Sequence, residues 1–526
     1  MKKAILLPTL VFLLAFFACR KELEKPSWDT QILAPLINAS LDINNLLPDS
    51  ILQANADSSL KIVYNSDIFK LTIDSLFSIP DTILSNFYTV PFGFTITGGS
   101  TIISNTSETT YQLQGVELRK VIVKSGFVKY TVKSKVQEVT QFVYTLPCAK
   151  LGGVPFTFTA TVPAGSASSP GVYSQVFDLS GYTIDLTGPL NNKVNTIYNS
   201  LVVSNAGASV FVSPSDSIKI ENTFFDIIPS YAKGYFGQNT IDIGPELTDF
   251  SLFSRITDGT IQLEDVNLNL KLENPIGLDA RVYFNNLSSV NTRSGTTINL
   301  SNSIIGSPIN INRASESGGT VYPTYSNFPL TVSNSNIKPM IENLPDKFGY
   351  SMQLITNPLG NISGSNDFIY ADRLFKARLE MEIPLSLVAT NLTLTDTLDF
   401  NISSGDAQNV HSGTITLFAN NGFPFDAGLQ MYTLDENNVI TDSIFGYANT
   451  IDEAPVNASL RAIGKKLTKI SIPLSESKMS MLYSTKKIVL KVKFNTSSQP
   501  QYIKIYSDYT IDVKLVGDFN YTIHLK

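Results

Sequence analysis

The chain is poor in the side chains from which most catalytic and metal sites are built. Its 526 residues include two cysteines, two histidines and one tryptophan. No histidine or cysteine pair has zinc-ligand spacing, and no Gly-x-Ser-x-Gly elbow, phosphate-binding loop or dinucleotide-binding glycine pattern occurs in the sequence. We therefore predict no catalytic residues, no metal site and no cofactor, and we expect a protein that is not an enzyme.

Charged side chains are also scarce. They make up 16% of the chain against 43% hydrophobic residues, a balance typical of a folded protein rather than a disordered one. The net charge of -6 is unevenly distributed along the chain. Residues 455–526 hold twelve Lys or Arg against four Asp or Glu, a net charge of +8, so the rest of the chain carries -14. A basic end of this kind suits an anionic partner such as lipopolysaccharide or an acidic glycan.

The N-terminus has the layout of a bacterial export signal. Lys2 and Lys3 are followed by an uncharged, almost wholly apolar run over residues 4–18, shorter than the ~20 residues of a membrane-spanning helix. Phe16 lies where ordinary signal cleavage prefers a small residue, and Cys19 follows directly. The segment resembles the lipobox of bacterial lipoproteins, in which the cysteine thiol receives a diacylglycerol and becomes the first mature residue. An uncleaved anchor and an ordinarily cleaved soluble protein are the alternatives.

This resemblance implies a chain held at the outer membrane by acyl chains such as palmitate, since two or three chains suffice for stable anchoring. The charged tether over residues 20–25, and a chain rich in Asn, Ser, Thr, Ile and Tyr, resemble lipoproteins of the Bacteroidota. The tether does not decide between the periplasmic face and the cell surface. With Cys19 acylated, Cys148 has no disulfide partner, and we interpret it as a small buried thiol.

The two-residue period of β-strands dominates the chain from residue 60 onward. Its clearest example places Val128, Tyr130 and Val132 on one face of a strand. Short helices are predicted over residues 336–344 and 475–484, with a weaker candidate at 247–256, and strands do not alternate with helices. We predict an all-β fold of two or three antiparallel β-sandwich-like modules with a few short helices.

A length of 526 residues exceeds what one ordinary core accommodates, so we predict several domains. The predicted segments are a lipoprotein signal peptide (1–18), a lipidated tether (19–48), an N-terminal β module (49–243), a middle β module (244–400) and a C-terminal β module with a basic end (401–526).

A weak internal repeat consists of a strand, a polar break and a second strand. Its copies begin at residues 128, 268, 417 and 492, and the breaks of the second and third hold Asn274-Pro275 and Asn420-Asn421. Such residues end one strand and set up the next. The Asn-containing units resemble the strand-Asn-Pro-strand core of late-embryogenesis-abundant type-2 (water-stress-response) domains. The resemblance implies a β-sandwich fold and nothing about activity.

A second recurring motif, Asp-Ser/Thr-aliphatic, resembles the O-glycosylation sequon of exported Bacteroidota proteins. We hypothesise glycosylation of at least one of its hydroxyls, which belong to Ser50, Ser75, Thr82, Ser217, Thr397 and Ser443. Two lysine stripes, at 129–135 and 487–493, are interpreted as solvated sheet faces rather than anion sites. Residues 435–438 are interpreted as a hairpin turn rather than a cation site.

The sequence therefore predicts a non-catalytic, membrane-anchored lipoprotein that acts as a binding or structural module at the outer membrane. Its predicted partners are the membrane, through the N-terminal acyl chains, and a glycan, a lipid or an outer-membrane protein, with no nucleic acid. One alternative is a lipid-carrying β-fold, which an internal apolar tunnel would favour and a filled core would reject. The other is a carbohydrate-active hydrolase, because paired carboxylates converge in space rather than in sequence.

Overall fold

The computed structural model describes residues 27–43, 51–71, 79–113, 115–254, 256–399, 409–497 and 499–524. Strand accounts for 63% of it and helix for 4%, so the predicted all-β class is confirmed. The first strands are β1 (Ser27–Leu41), β2 (Leu52–Ala54), β3 (Leu60–Lys70), β4 (Thr82–Tyr88), β5 (Phe94–Ile96), β6 (Thr101–Thr110), β7 (Glu117–Ser134), β8 (Thr140–Leu151), β9 (Val154–Val162), β10 (Gly171–Asp178), β11 (Thr183–Asp185), β12 (Thr196–Asn205), β13 (Val210–Val212) and β14 (Ile218–Tyr235).

The next elements are β15 (Thr240–Asp249), β16 (Ile256–Leu263), β17 (Asn267–Asn274), β18 (Ala280–Asn291), β19 (Thr296–Asn299), β20 (Ile309–Ile311), β21 (Ser315–Ser317), β22 (Thr320–Tyr322), β23 (Thr324–Leu330), α1 (Ile337–Glu342), β24 (Lys347–Thr356), β25 (Asp367–Tyr370), β26 (Lys376–Pro384) and β27 (Ser386–Asp399). The last are β28 (Val410–Asn421), β29 (Phe425–Leu434), β30 (Ile440–Phe445), β31 (Thr450–Ile451), β32 (Lys466–Leu474), α2 (Glu476–Ser484), β33 (Lys487–Thr496), β34 (Ile503–Lys504) and β35 (Ile511–His524). Both main helix predictions are confirmed, whereas the weaker one, at 247–256, was wrong because β15 and a turn occupy it.

The chain divides into two compact units, each assembled from segments that are far apart in sequence. Unit 1 takes residues 1–63, 251–265 and 383–526, and unit 2 takes 64–250 and 266–382. The module boundaries predicted after residues 243 and 400 stay predictions. Strand β1 begins inside the segment predicted as a tether.

Unit 1 contains a two-layer sandwich. A four-stranded sheet has the order β1-β35-β28-β32, and a seven-stranded sheet has the order β16-β27-β33-β29-β30, with β31 on β29 and β34 on β27. Leu417 and Ile470 from the first sheet pack with Leu429 from the second and with Met479 and Leu482 of α2. The core of unit 1 therefore lies between the two sheets, with α2 contributing to it.

The first part of unit 2 is a ten-stranded antiparallel sheet. Its path runs β25-β14-β7-β11-β8-β12-β6, with β10 on β7, β4 on β14 and β9 on β8. The predicted apolar face of β7 is confirmed, because Val128, Tyr130 and Val132 are at most 1% exposed. Tyr130 lies at the centre of an aromatic cluster supplied by β7, β8, β9 and β10.

The second part of unit 2 is also layered. One sheet has the order β15-β24-β18-β19 with β20 on β18, and β17 lies between β26 and β23 in another. Val282 and Phe284 of β18 and Leu270 of β17 are fully buried. The arrangement is a further β-sandwich, which agrees with the predicted multi-module fold.

The link between β17 and β18 carries the chain from one sheet to another and is organised by Asn274. The Asn274 side chain is buried, and its Oδ1 accepts a hydrogen bond from the N–H of Ile276 at 3.0 Å. Its Nδ2 donates to the carbonyl oxygens of Asn312 at 2.9 Å and Leu278 at 3.4 Å. One side chain therefore satisfies three backbone groups at the crossing, none of which has a sheet partner there.

The link between β28 and β29 repeats this geometry in unit 1. Asn421 is buried, accepts from the N–H of Phe423 and donates to the carbonyls of Phe425 and Asp452, each at 2.9 Å. In the copy that ends β7, Ser134 takes the same place and accepts from the N–H two residues on at 3.3 Å. The first three copies of the weak sequence repeat thus share a strand-ending side chain that accepts a hydrogen bond from the N–H two residues on.

Candidate functional site

Unit 1 contains an apolar cavity of about 180 Å³. Its walls come from both sheets of the sandwich, close to the point where β28 passes into β29. Strands β16, β27, β29 and β33 supply one wall, while the last residues of β1 and β28 and the first of β35 supply another. Every lining residue belongs to unit 1.

Strand register explains which side chains reach this cavity. Ile261 of β16 lies opposite Ala389 of β27, and Phe494 of β33 lies opposite both Leu392 of β27 and Ala427 of β29. Residues directly opposite each other in an antiparallel ladder share a face of the sheet. These five side chains therefore point into the space between the sheets, and the two alanines among them leave room that larger side chains would fill.

The lining is almost wholly hydrocarbon. All of its residues are Leu, Ile, Phe or Ala except Asp42 and Asn421. The amide of Asn421 is already bonded to three backbone groups of the arch. An apolar cavity of about 150 Å³ stays dry and binds benzene or xenon, so the site in unit 1 has the size and chemistry to take a hydrocarbon group.

Two cavities within unit 2 are smaller, at about 30 and 70 Å³. The first lies under α1 and the second beside β4 and β12. Because neither approaches the volume of the cavity in unit 1, we take that one as the candidate binding site.

Unit 2 also holds a compact polar cluster around Glu316 of the β21-β22 hairpin. Its carboxylate accepts from the hydroxyls of Tyr231 at 2.9 Å and Tyr370 at 3.1 Å, and Lys233 Nζ lies 3.4 Å away. Burial, followed by the hydrogen bond to Glu316, raises the pKa of Tyr231 well above its ordinary value. Both carboxylate oxygens are engaged, so the cluster ties the hairpin to β14 and β25.

The predicted modification sites are not brought together. Cys19, Ser50 and Ser75 lie outside the described residues. In unit 2, Thr82 is the first residue of β4, and Ser217 directly precedes β14. Lipidation and glycosylation at these positions stay predictions.

The two remaining glycosylation candidates lie in unit 1. Thr397 is an exposed residue of β27. Ser443 in β30 is half-buried, and its hydroxyl donates to the carbonyl of Phe445 at 3.0 Å and accepts from Gln430 Nε2 at 2.7 Å. Of the two, Thr397 is the more accessible to a modifying enzyme.

Several polar side chains of unit 1 stabilise turns and helix ends. Asp435 Oδ1 accepts from the N–H groups of Asn437 and Val439, each at 2.9 Å, which confirms the hairpin turn between β29 and β30. His411 Nδ1 lies 3.8 Å from a carboxylate oxygen of Glu476 at the start of α2. Within the described ranges, no three His, Cys, Asp or Glu side chains are grouped as metal ligands.

The two lysine stripes lie on sheet faces, as interpreted from the sequence. On β7, Lys133 Nζ is 4.0 Å from Glu221 of the neighbouring β14. On β33, Lys493 Nζ lies 4.3 Å from the ring centre of Tyr447, and Lys491 Nζ lies 5.8 Å from that of Tyr432. These amines cover aromatic rings, a contact worth about 0.5–1 kcal/mol at an exposed site.

Cys148 is confirmed as a buried thiol. It is 3% exposed, its Sγ donates to the carbonyl of Tyr198 at 3.4 Å, and burial raises its pKa to about 11. At pH 8 the reactive thiolate is therefore a minute fraction of the native protein.

We predict that a chromogenic disulfide reagent leaves the native mature protein unlabelled at pH 8. In denaturant it should titrate one thiol, Cys148, because an acylated Cys19 presents a thioether. Two titrated thiols would contradict acylation, and fast labelling of the native protein would contradict burial of Cys148.

Sequence patterns did not reveal the cavity, because its walls come from distant parts of the chain. Phe253, Ala389 and Ile511 all line it. Each has the apolar character of an ordinary core residue, and only the pairing of the strands shows that the space between them is unfilled. The only local signal was the small size of Ala389 and Ala427, the fourth residue of β27 and the third of β29.

The described part of the chain has no helix that is long and apolar enough to span a membrane. No family model and no curated protein matches the sequence. A candidate secreted protein from Parabacteroides distasonis ATCC 8503, known from a crystal structure, is 15% identical, with 53% of this chain and 82% of that chain covered and a TM-score of 0.23. A structure of infectious bursal disease virus, Gt strain, is 10% identical, with 84% and 82% covered and a TM-score of 0.13. At these TM-scores the likenesses carry no further argument.

Proposed function

We propose that this protein is a non-catalytic lipoprotein anchored at the outer membrane, and that the cavity of unit 1 binds the hydrocarbon part of its ligand. The cavity is the observation that supports the binding role. Lys2, Lys3, the apolar run over 4–18 and Cys19 support the anchor. The proposal joins the predicted binding module to the first alternative, a lipid-carrying β-fold.

The chemistry of the lining favours an alkyl chain over a sugar. A sugar needs hydrogen-bonding partners, whereas the lining here is Leu, Ile, Phe and Ala apart from Asp42 and Asn421. Each methylene moved from water into such a site gains about 0.8 kcal/mol. Hydrolysis by paired carboxylates needs two acidic groups, and Asp42 is the one carboxylate among the lining residues, so we do not propose a hydrolase for this site.

Thermal unfolding in the presence of a series of straight-chain alcohols tests the binding role. A ligand that binds only the folded state stabilises it by about 2.7 kcal/mol at a hundred times its Kd, so Tm should rise. We expect the rise to grow with chain length until the cavity is filled. The variants Ala389→Leu and Ala427→Leu occupy the space and should abolish the rise.

Ala419→Leu is the matched control, because Ala419 is buried in the same core and does not line the cavity. It should lower stability by about 1–3 kcal/mol through overpacking and keep the response to alcohols. A Tm rise that survives both cavity-filling variants, or no rise with any alcohol, would refute the binding role.

The anchor has its own test. Mass spectrometry of the N-terminal peptide from the native host should show Cys19 as the first residue, carrying a diacylglycerol. An unmodified Cys19, or a peptide that begins upstream, would refute anchoring and leave the result for the cavity unaffected.

A further inference from the structure

We propose that the end of unit 1 from which the N-terminus leaves the sandwich rests on the membrane surface, with Trp28, Ile32 and Leu33 inserted in the bilayer interface. This inference rests on the proposed lipid anchor. It adds the part of the protein that touches the membrane and the side chains that make the contact.

Strand register defines this end, which we call the anchor end. In the four-stranded sheet Ser27 pairs with His524, Val410 pairs with Tyr521, and Gly413 pairs with Leu474. The start of β1, the end of β35, the start of β28 and the end of β32 therefore lie together.

The second sheet of unit 1 reaches the same end through α2. This helix follows β32 directly and leads into β33. Lys478 of α2 donates to the carbonyl of Ser443 in β30 at 3.4 Å. The turn between β29 and β30 adjoins that strand, so it belongs to the anchor end as well.

Large apolar side chains are exposed at the anchor end. On β1, Trp28 is 48% exposed, Ile32 is 41% exposed and Leu33 is 73% exposed. At the β29-β30 turn, Val439 and the first residue of β30, Ile440, are 58% and 57% exposed. The three on β1 lie within six residues of one edge strand, and the two at the β29-β30 turn share the same end of the sandwich. Exposed apolar residues grouped in this way indicate an interaction surface.

The exposed side chains of β1 lie on both faces of the strand. Trp28 and Ile32 lie opposite Ile523 and Phe519 on the core-facing side, and Leu33 lies on the other. Strand β1 is the edge of its sheet, where charged residues usually discourage pairing in water. On the face away from the core, Leu33 lies beside the polar Ser27, Asp29 and Gln31. This edge therefore presents large apolar side chains that suit contact with an apolar environment.

The length of the tether favours the bilayer over other occupants. Eight residue steps separate Cys19 from Ser27. At no more than about 3.6 Å per residue they span at most about 29 Å, so acyl chains on Cys19 keep the anchor end next to the lipid. Tryptophan is also the side chain that best suits a membrane interface, because its ring is apolar and its N–H is polar.

Charges at this end are of both signs, because Asp29 of β1 and Glu476 at the start of α2 are exposed, as is Lys486 just after α2. The contact is therefore driven by apolar insertion rather than by attraction to anionic headgroups. We expect it to form on neutral phosphatidylcholine and to persist at high salt.

The single tryptophan makes the test direct. The lipidated full-length protein is reconstituted into phosphatidylcholine vesicles with and without bromine on the acyl chains, and vesicle flotation confirms binding. We expect Trp28 emission to shift to the blue on plain vesicles and to be quenched on brominated ones, at low and high salt alike.

A matched variant, Trp28→Phe with Leu467→Trp, moves the reporter along the same sheet. Leu467 is 61% exposed and pairs with Asn420, ten residues from Val410 and so about 33 Å along β28. Its emission should be unaffected by bromine. Floating protein with neither reporter quenched, or with both quenched equally, would overturn the proposed contact and leave anchoring intact.

Two other outcomes are equally decisive. Shielding of Trp28 from an aqueous quencher without quenching by bromine would assign the surface to a protein partner or a second copy. Failure to float with vesicles would refute the anchor, and the contact with it.

Discussion

Replacing Asn421 with alanine is expected to destabilise unit 1 by about 3–4 kcal/mol. The side chain makes three hydrogen bonds to backbone groups of the β28-β29 arch, each at 2.9 Å, and it is 2% exposed. Each lost bond costs about 1 kcal/mol, and buried groups left without partners add to the loss. Urea unfolding followed by Trp28 fluorescence measures the effect, because Trp28 belongs to unit 1.

Asn420→Ala is the internal control for this experiment. Asn420 is adjacent on β28 and half-buried, and its side chain points to the opposite face of the sheet. Its replacement should change stability by no more than about 0.5 kcal/mol. Equal losses at the two positions would mean that the arch does not depend on the Asn421 amide. Asn274→Ala should destabilise unit 2 in the same way, as measured by hydrogen exchange of β17 and β18.

Asn274 and Asn421 show which contacts can be predicted from the local sequence and which cannot. An Asn that ends a strand before Pro or Gly favours a turn, and the side-chain bonds to the residues two and four positions on are local. The sequence therefore predicted a break between two strands. It did not predict that the amide also bonds Asn312 or Asp452, which lie more than thirty residues downstream.

The same contrast between local and long-range sequence information applies to the strands and helices. The alternation in β7 and the capping of α2 by Ser475, whose side chain accepts from the N–H of Lys478, are properties of short segments, and both were predictable. Strand β1 pairs with β35 at the other end of the chain, and no local pattern specifies such a partner. Non-local pairing decided which segments form unit 1.

The cavity of unit 1 could not be predicted from the sequence for the same reason. Ala389 and Ala427 occupy strand positions where any apolar residue satisfies the two-residue period. Whether the space between them is filled depends on side chains from β1, β16 and β35, which only the fold brings near. A cavity is a property of the packed structure, so composition and spacing suggest an apolar ligand site only as an alternative.

Replacing Tyr130 with alanine is expected to have the largest effect in unit 2, about 5 kcal/mol. Tyr130 is fully buried, and its ring centre lies 4.7 Å from that of Phe158, 4.9 Å from Tyr144 and 5.8 Å from both Phe156 and Phe177. Removing a buried aromatic ring costs about 3–5 kcal/mol, and each well-placed aromatic pair adds about 0.5–1.5 kcal/mol. Hydrogen exchange of the backbone amides of β7, β8 and β9 measures the loss, because these strands carry the cluster.

Tyr130→Phe keeps the ring and should stay within about 1 kcal/mol of the parent protein, as expected for a hydroxyl alone. Tyr173→Ala is the second control, because Tyr173 is half-buried and lies at the margin of the cluster, with its ring centre 6.3 Å from that of Phe158. A similar loss for Tyr173→Ala and Tyr130→Ala would contradict a cluster centred on Tyr130.

The hydroxyl of Tyr130 makes the stability of unit 2 depend on pH. Burial, followed by the neighbouring Tyr144, raises the pKa of Tyr130 well above its ordinary value of 10.0. The pKa of Tyr130 is therefore higher in the folded protein than in the unfolded chain. Above pH 10 the unfolded chain ionises at Tyr130 and the folded protein does not, so the free energy of unfolding falls as the pH rises, whereas below pH 10 it is unaffected by this group. Tyr130→Phe removes the ionising group, so its alkaline unfolding should begin at a higher pH than that of the parent protein. Identical alkaline transitions would place the titrating group elsewhere.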